Sequence, residues 1–167
     1  MPLIDHIPDL PEEYLAEIGR ITVRWSLIES LIHICLIRFS GGNTSDARWL
    51  VLFTHMNTRQ KLDALGALLE ELKATIPAIA SAEYSQTLKL LGEAQVRRNA
   101  ITHATWEYDN GTLTMGKYSA HGKLKIEGQP TTISTLRQTS ELIFRAGDSL
   151  QELSVTVLGR SSPQSGQ

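Results

Sequence analysis

Apolar residues along the chain recur mostly at steps of three and four, the spacing that keeps side chains on one face of an α-helix. From Tyr14 they fall at Ile18, Ile21, Trp25, Ile28, Ile32, Cys35 and Phe39, which predicts one long helix with a buried stripe. Asp9, Leu10, Pro11 and Glu12 supply its start signal: an Asp able to cap free amides, a proline in the first turn and an acid three residues after the cap. Gly41 and Gly42 end it. Leu27, Leu31, Ile34 and Leu36 widen the stripe in the second half, so this stretch is expected to pack on more than one side, within the domain or against a second copy.

After a polar turn at residues 43–46, Trp49, Leu52, Phe53 and Met56 mark a short second helix. Asn57 or Thr58 caps a third, with Leu62, Leu65, Leu69, Leu72 and Ile76 on one side and Pro77 as its stop. A fourth is expected from Ser81 to about His103, carried by Tyr84, Leu88, Leu91, Ala94 or Gln95, and Ile101. The period then changes to two: Trp106 and Tyr108, the turn residues Asp109, Asn110 and Gly111, then Leu113 and Met115 predict a hairpin. Lys123, Leu124, Lys125 and Ile126 can add a short third strand before Gly128 and Pro130. The last helix starts near Thr132, carries Ile133, Leu136, Ile143, Ala146, Leu150, Leu153 and Val157 on one side, and ends at Gly159. The expected fold class is all-α, an antiparallel bundle of four to five helices with a small β-hairpin inserted before the last helix. Residues 1–160 form one domain and residues 161–167 a disordered tail.

Composition narrows the function classes. With 167 residues, 41% of them apolar, the chain fits one compact core. Sixteen basic against 18 acidic side chains exclude a surface coated in positive charge, so any nucleic-acid contact must come from a local patch. The only net-basic stretch is residues 97–126, with five basic and two acidic side chains. Cys35, alone and set among apolar neighbours, has no partner for an internal disulfide; it is expected in the core of a protein from a reducing, cytoplasmic compartment. Asp5, Pro8, Asp9 and Pro11 break up the opening residues, which do not read as a signal peptide. The longest apolar run, residues 31–37 with His33 counted, falls far short of the roughly 20 residues a bilayer demands, so no membrane span is expected.

Nucleotide-binding glycine loops and the Gly-x-Ser-x-Gly elbow of hydrolases are absent. His6, His33, His55, His103 and His121 are not spaced as ligands and no cysteine pair assists them, so neither a metal nor another cofactor is expected. What remains is the end of the fourth helix: Arg97, Arg98 and Asn99, then Thr102 and His103. Asn99 and His103 are four apart and share a helical face, whereas Arg98 is turned about 140° from His103 in a regular helix. Arg98 must reach around, or the helix must loosen.

In this Arg-Asn-x-x-x-His segment, with Trp25 and Glu29 on the long first helix and another helix behind, the chain resembles the HEPN superfamily of helical bundles. The resemblance implies a homodimer that faces two Arg and His sets across one cleft, and metal-independent endonucleolytic cleavage of RNA. It further implies a toxin or phage-defence role, restrained by a protein antitoxin or other regulatory partner. His103 would take the proton of a ribose 2′-OH, Arg98 would hold the phosphate oxygens, and Asn99 would orient His103 or donate to the phosphate. Arg97, Lys117 and Lys123, with Lys125 and His121, would track phosphates, and Trp106 or Tyr108 would stack on a base. Glu29 either orients Arg98 or forms an ordinary helical pair with His33. Three readings compete with catalysis: a HEPN-like interaction or scaffold module in which the same polar residues only order a dimer, nucleotide binding at the same basic pocket, and cations that merely complement the end of a helix dipole.

Overall fold

A computed structural model of the chain describes residues 10–74, 81–119 and 125–161. Helix α1 (Glu12–Phe39) is capped by Pro11, whose carbonyl accepts from the N–H groups of Tyr14 at 2.9 Å and Leu15 at 3.2 Å. The proline is therefore the cap and not part of the first turn, a position where its missing N–H costs nothing. Asp9, the expected cap, lies outside the described residues. At the other end Gly41 adopts φ +75°, and the N–H groups of Gly41 and Gly42 return to the carbonyls of Arg38 (3.0 Å) and Ile37 (2.8 Å). This is the glycine stop expected from the sequence, in its Schellman form.

Helix α2 (Ala47–Thr54) starts on Asp46, whose side chain accepts from the Arg48 N–H. Helix α3 (Thr58–Lys73) opens with a reciprocal capping box between Asn57 and Gln60. It ends at Lys73; Ile76 and Pro77, expected to finish it, lie outside the described residues. Helix α4 (Ser81–Thr102) has the expected bounds. Helix α5 (Ile133–Ser161) follows Thr132, whose hydroxyl accepts from the Thr135 N–H at 3.2 Å, and it runs through Gly159. Ser161, expected as the first residue of a disordered tail, is thus helical; residues 162–167 lie outside the described residues.

Between α4 and α5 stands an antiparallel sheet in the order β1 (Thr105–Asp109), β2 (Thr112–Ser119), β3 (Lys125–Thr131). Asn110 at φ +47° and Gly111 at φ +80° make the tight β1–β2 turn, the pair of left-handed residues that a two-residue hairpin requires. The expected hairpin is therefore part of a three-stranded sheet, and β3 passes through Gly128 and Pro130 instead of stopping before them. β3 is an edge strand, where a proline opposite Thr114 can be seated without breaking a ladder on both sides.

The core is one cluster. Ile21, Trp25, Ile28, Ile32 and Cys35 of α1 are buried against Leu65 and Leu69 of α3, Leu91 and Ala94 of α4, and Ile143, Ala146 and Leu150 of α5. Each large apolar side chain so enclosed contributes about 1.5–3 kcal/mol. Burial pushes the Cys35 thiol up to about 12. Trp49 stacks on Phe53 at 5.9 Å and packs against the core, and Trp25 is fully buried.

Direction differs from the expected antiparallel bundle where α1 meets α5. Glu13 faces Arg137 at 3.9 Å, Arg24 donates to Ser140, and Ile28 lies against Gly147, so α1 and α5 run in parallel. The excursion through the sheet returns the chain to the end of the bundle where α1 began. α3 and α4 are antiparallel, with Glu70 bonded to Tyr84 and Gly66 against Leu88. Of the residues that widen the α1 stripe, Leu36 is buried and Leu31 half-buried, while Leu27 (66% exposed) and Ile34 (44%) are not covered by the domain; Val23 (62%), outside that set, is uncovered beside them.

Candidate functional site

α4 stays helical to its last residues because the His103 N–H donates to the Asn99 carbonyl at 3.1 Å and the Thr102 hydroxyl to the Arg98 carbonyl at 3.0 Å. That backbone bond spans four residues, so Asn99 and His103 leave the helix on one face. His103 then ends the helix, two residues before β1. Its ring is exposed, and no described residue hydrogen-bonds to it.

Arg98 bonds to its neighbour Asn99, and no described bond joins it to His103. One terminal guanidinium nitrogen donates to the Asn99 side-chain oxygen at 3.0 Å, which draws the cation towards the face Asn99 shares with His103. Asn99 is left with its amide N–H groups to offer. Arg98 itself is half-buried, and its Nε is enclosed without a hydrogen-bond partner. An enclosed, unpaired donor costs about 1–3 kcal/mol.

Other candidates are placed less centrally. Arg97 is exposed, but two residues before Asn99 it projects from the opposite side of α4, where only long-range attraction is left to it. Lys117 lies on β2 opposite Glu127 in the strand register, and Lys123 and His121 lie outside the described residues. Of the two aromatic candidates, Trp106 packs against the core, while Tyr108 is 38% exposed.

Glu29 is engaged elsewhere. Its carboxylate accepts from the Thr58 hydroxyl at 2.6 Å, which ties α1 to the start of α3, and no described bond joins it to Arg98 or to His33. His33 instead meets Phe53 edge-on at 6.0 Å. Its Nε2 is enclosed and unpartnered; burial, and then the Lys61 charge, hold the imidazole below its ordinary range. Among the described residues no three His, Cys, Asp or Glu side chains gather as a metal site, and no helix is long and apolar enough to cross a membrane.

The same face carries a feature with no mark in the hydrophobic pattern. Between α3 and α4 runs an open groove of about 590 Å³, walled by Leu62 and Leu88 and edged by Arg59, Asp63, Gln95 and Val96. On α4, residues 88, 92, 95, 99 and 103 succeed one another at steps of four, three, four and four, so the groove's wall continues into Asn99 and His103. That step pattern is present in the sequence, but its polar and glycine members carry no apolar signal. Comparisons of the chain with protein-family models, with curated proteins and with solved structures find no match.

Proposed function

We propose that the protein is a HEPN-like endoribonuclease that cuts RNA without a metal ion, with Arg98, Asn99 and His103 as its catalytic residues. The observation that carries this reading is the convergence at the end of α4: an exposed imidazole, an amide on its face, and a guanidinium bonded to that amide. An imidazole is the side chain best suited to exchange protons near neutral pH. His103 would accept the ribose 2′-OH proton as the 2′ oxygen attacks the adjacent phosphorus. The 5′ oxygen leaves and takes up a proton, which a second imidazolium across a dimer cleft, or water, can supply. Arg98 would offset charge on the non-bridging oxygens, and Asn99 would fix the Arg98 head. The products are a 2′,3′-cyclic phosphate and a 5′-hydroxyl.

A homodimer belongs to the same proposal, supported by the uncovered apolar stripe of α1 at Val23, Leu27 and Ile34. The toxin or phage-defence setting and a protein antitoxin rest on the resemblance alone. The same stripe would serve a non-catalytic interaction module, so the test is enzymatic. Purified protein should cut single-stranded RNA in EDTA and leave the same sequence with 2′-deoxyribose intact. His103→Ala should lower the rate about 10²–10⁴-fold with an unchanged circular dichroism spectrum, since the ring makes no described bond. Activity that survives both His103→Ala and Arg98→Ala ends the nuclease reading and leaves the interaction module.

A further inference from the structure

We infer that the groove between α3 and α4 seats an unpaired nucleobase of the RNA strand, next to the phosphate cut at Arg98 and His103; the inference rests on the nuclease reading above. Continuity is the first argument. Gln95 lines the groove and Asn99 lies one helical turn further on the same face, about 6 Å along the axis, with His103 about 12 Å away. A strand whose phosphate meets Arg98 and His103 therefore brings a neighbouring base over the groove.

The lining gives the second argument. Leu62 and Leu88 offer apolar walls, while Arg59, Asp63 and Gln95 offer donors and acceptors at the edge. A base has this pairing of properties, apolar faces and a hydrogen-bonding rim; for a phosphate the Asp63 carboxylate would cancel the attraction of Arg59. Arg59 and Asp63 are joined only loosely, at 3.9 Å on an exposed surface, so both can turn to a ligand. The volume lies within the roughly 300–1,000 Å³ of small-ligand sites.

The third argument is the glycine at 92. A Cβ there would meet no atom within 4 Å, so packing within the protein does not demand a glycine at this position. A larger side chain at 92 would enter the groove and displace nothing but its occupant. In a helix interior glycine also costs about 0.5–1 kcal/mol relative to alanine, a cost borne here with the groove left open.

Gly92→Leu is therefore the test variant, in the full chain, assayed with fluorescein-labelled single-stranded RNA in EDTA beside the wild type and His103→Ala. A second set of RNAs carries one abasic ribose, moved through the positions that flank the cut. Gly92→Leu should fold as the wild type does and raise KM about tenfold, the value of one stacked base, with kcat within about twofold. The abasic ribose at one flanking position should weaken the wild type by a similar factor and add nothing to the Gly92→Leu defect. A wild-type KM for Gly92→Leu, or penalties that simply add, overturns the groove assignment while the nuclease reading stands. Should the wild type fail to cut, or His103→Ala cut equally well, the nuclease reading falls. Fluorescence anisotropy with the same RNAs then decides the groove: binding lost in Gly92→Leu keeps it as an RNA site, and equal or absent binding removes it.

Discussion

His33 spends its burial on nothing the fold returns: its ring fills space beside Phe53, and its Nε2 finds no partner. Because burial and the Lys61 charge hold its titration below the ordinary 6.5, the folded chain resists the proton that the unfolded chain accepts. Stability is fully present above that value and is lost as the pH falls through 6.5 towards the depressed folded value. Replacing His33 with Leu removes the unpaired atom and the acid slope together. Urea unfolding should show a variant that at pH 7.5 is as stable as the wild type or about 1 kcal/mol more so. It should pull further ahead by pH 5.5; an unchanged gap between the two pH values would show that His33 titrates alike folded and unfolded. Arg98 also carries an enclosed, unpartnered Nε, beside a terminal nitrogen that bonds to Asn99. Both residues could be picked out in the sequence, but the unpaired atoms that distinguish them could not, because enclosure is set by what packs around a side chain and not by the residue itself.

At the scale of elements, the junction of α1 and α2 shows how tightly a turn can bind two helices. A Cβ on Gly42 would lie 2.6 Å from the Trp49 ring nitrogen and 2.9 Å from the Ile37 carbonyl, so Gly42→Ala must displace the Trp49 and Phe53 stack. It should cost about 1–3 kcal/mol in denaturant unfolding; a neutral result would mean that α2 is free to shift. The helices were legible in the sequence because their stripes are dense and their ends are marked, as at Gly41, Asn57 and Thr132. The third strand was only half legible, since Gly128 and Pro130 signal a break in isolation and only its place at the sheet edge makes them tolerable. The groove was not legible at all. It depends on the antiparallel register of α3 and α4, which brings Arg59 towards Gln95, and a single helix's periodicity says nothing about its neighbour.

Across the whole molecule, the parallel pairing of α1 and α5 leaves a broad uncovered surface. The stripe from Val23 to Ile34 runs about 16 Å along α1, one part of the roughly 800 Å² per partner that a stable interface buries. Phe144 and Val155 of α5, also exposed, extend it, with Arg24 fixed 5.1 Å over the Phe144 ring. Substituting Glu at both Val23 and Leu27 should convert the proposed dimer to a folded monomer in sedimentation velocity, because neither side chain supports the core. If RNA cleavage needs two sites, activity should fall with the dimer; a wild-type chain that sediments as a monomer at assay concentrations would refute the assembly. Cys35 of α1 is packed in the core with no exposed surface and its sulfur held in the protonated form. Alkylating and oxidising reagents therefore find that sulfur only when α1 leaves the bundle, which makes thiol labelling a clock for global opening and leaves the folded protein indifferent to the redox state around it.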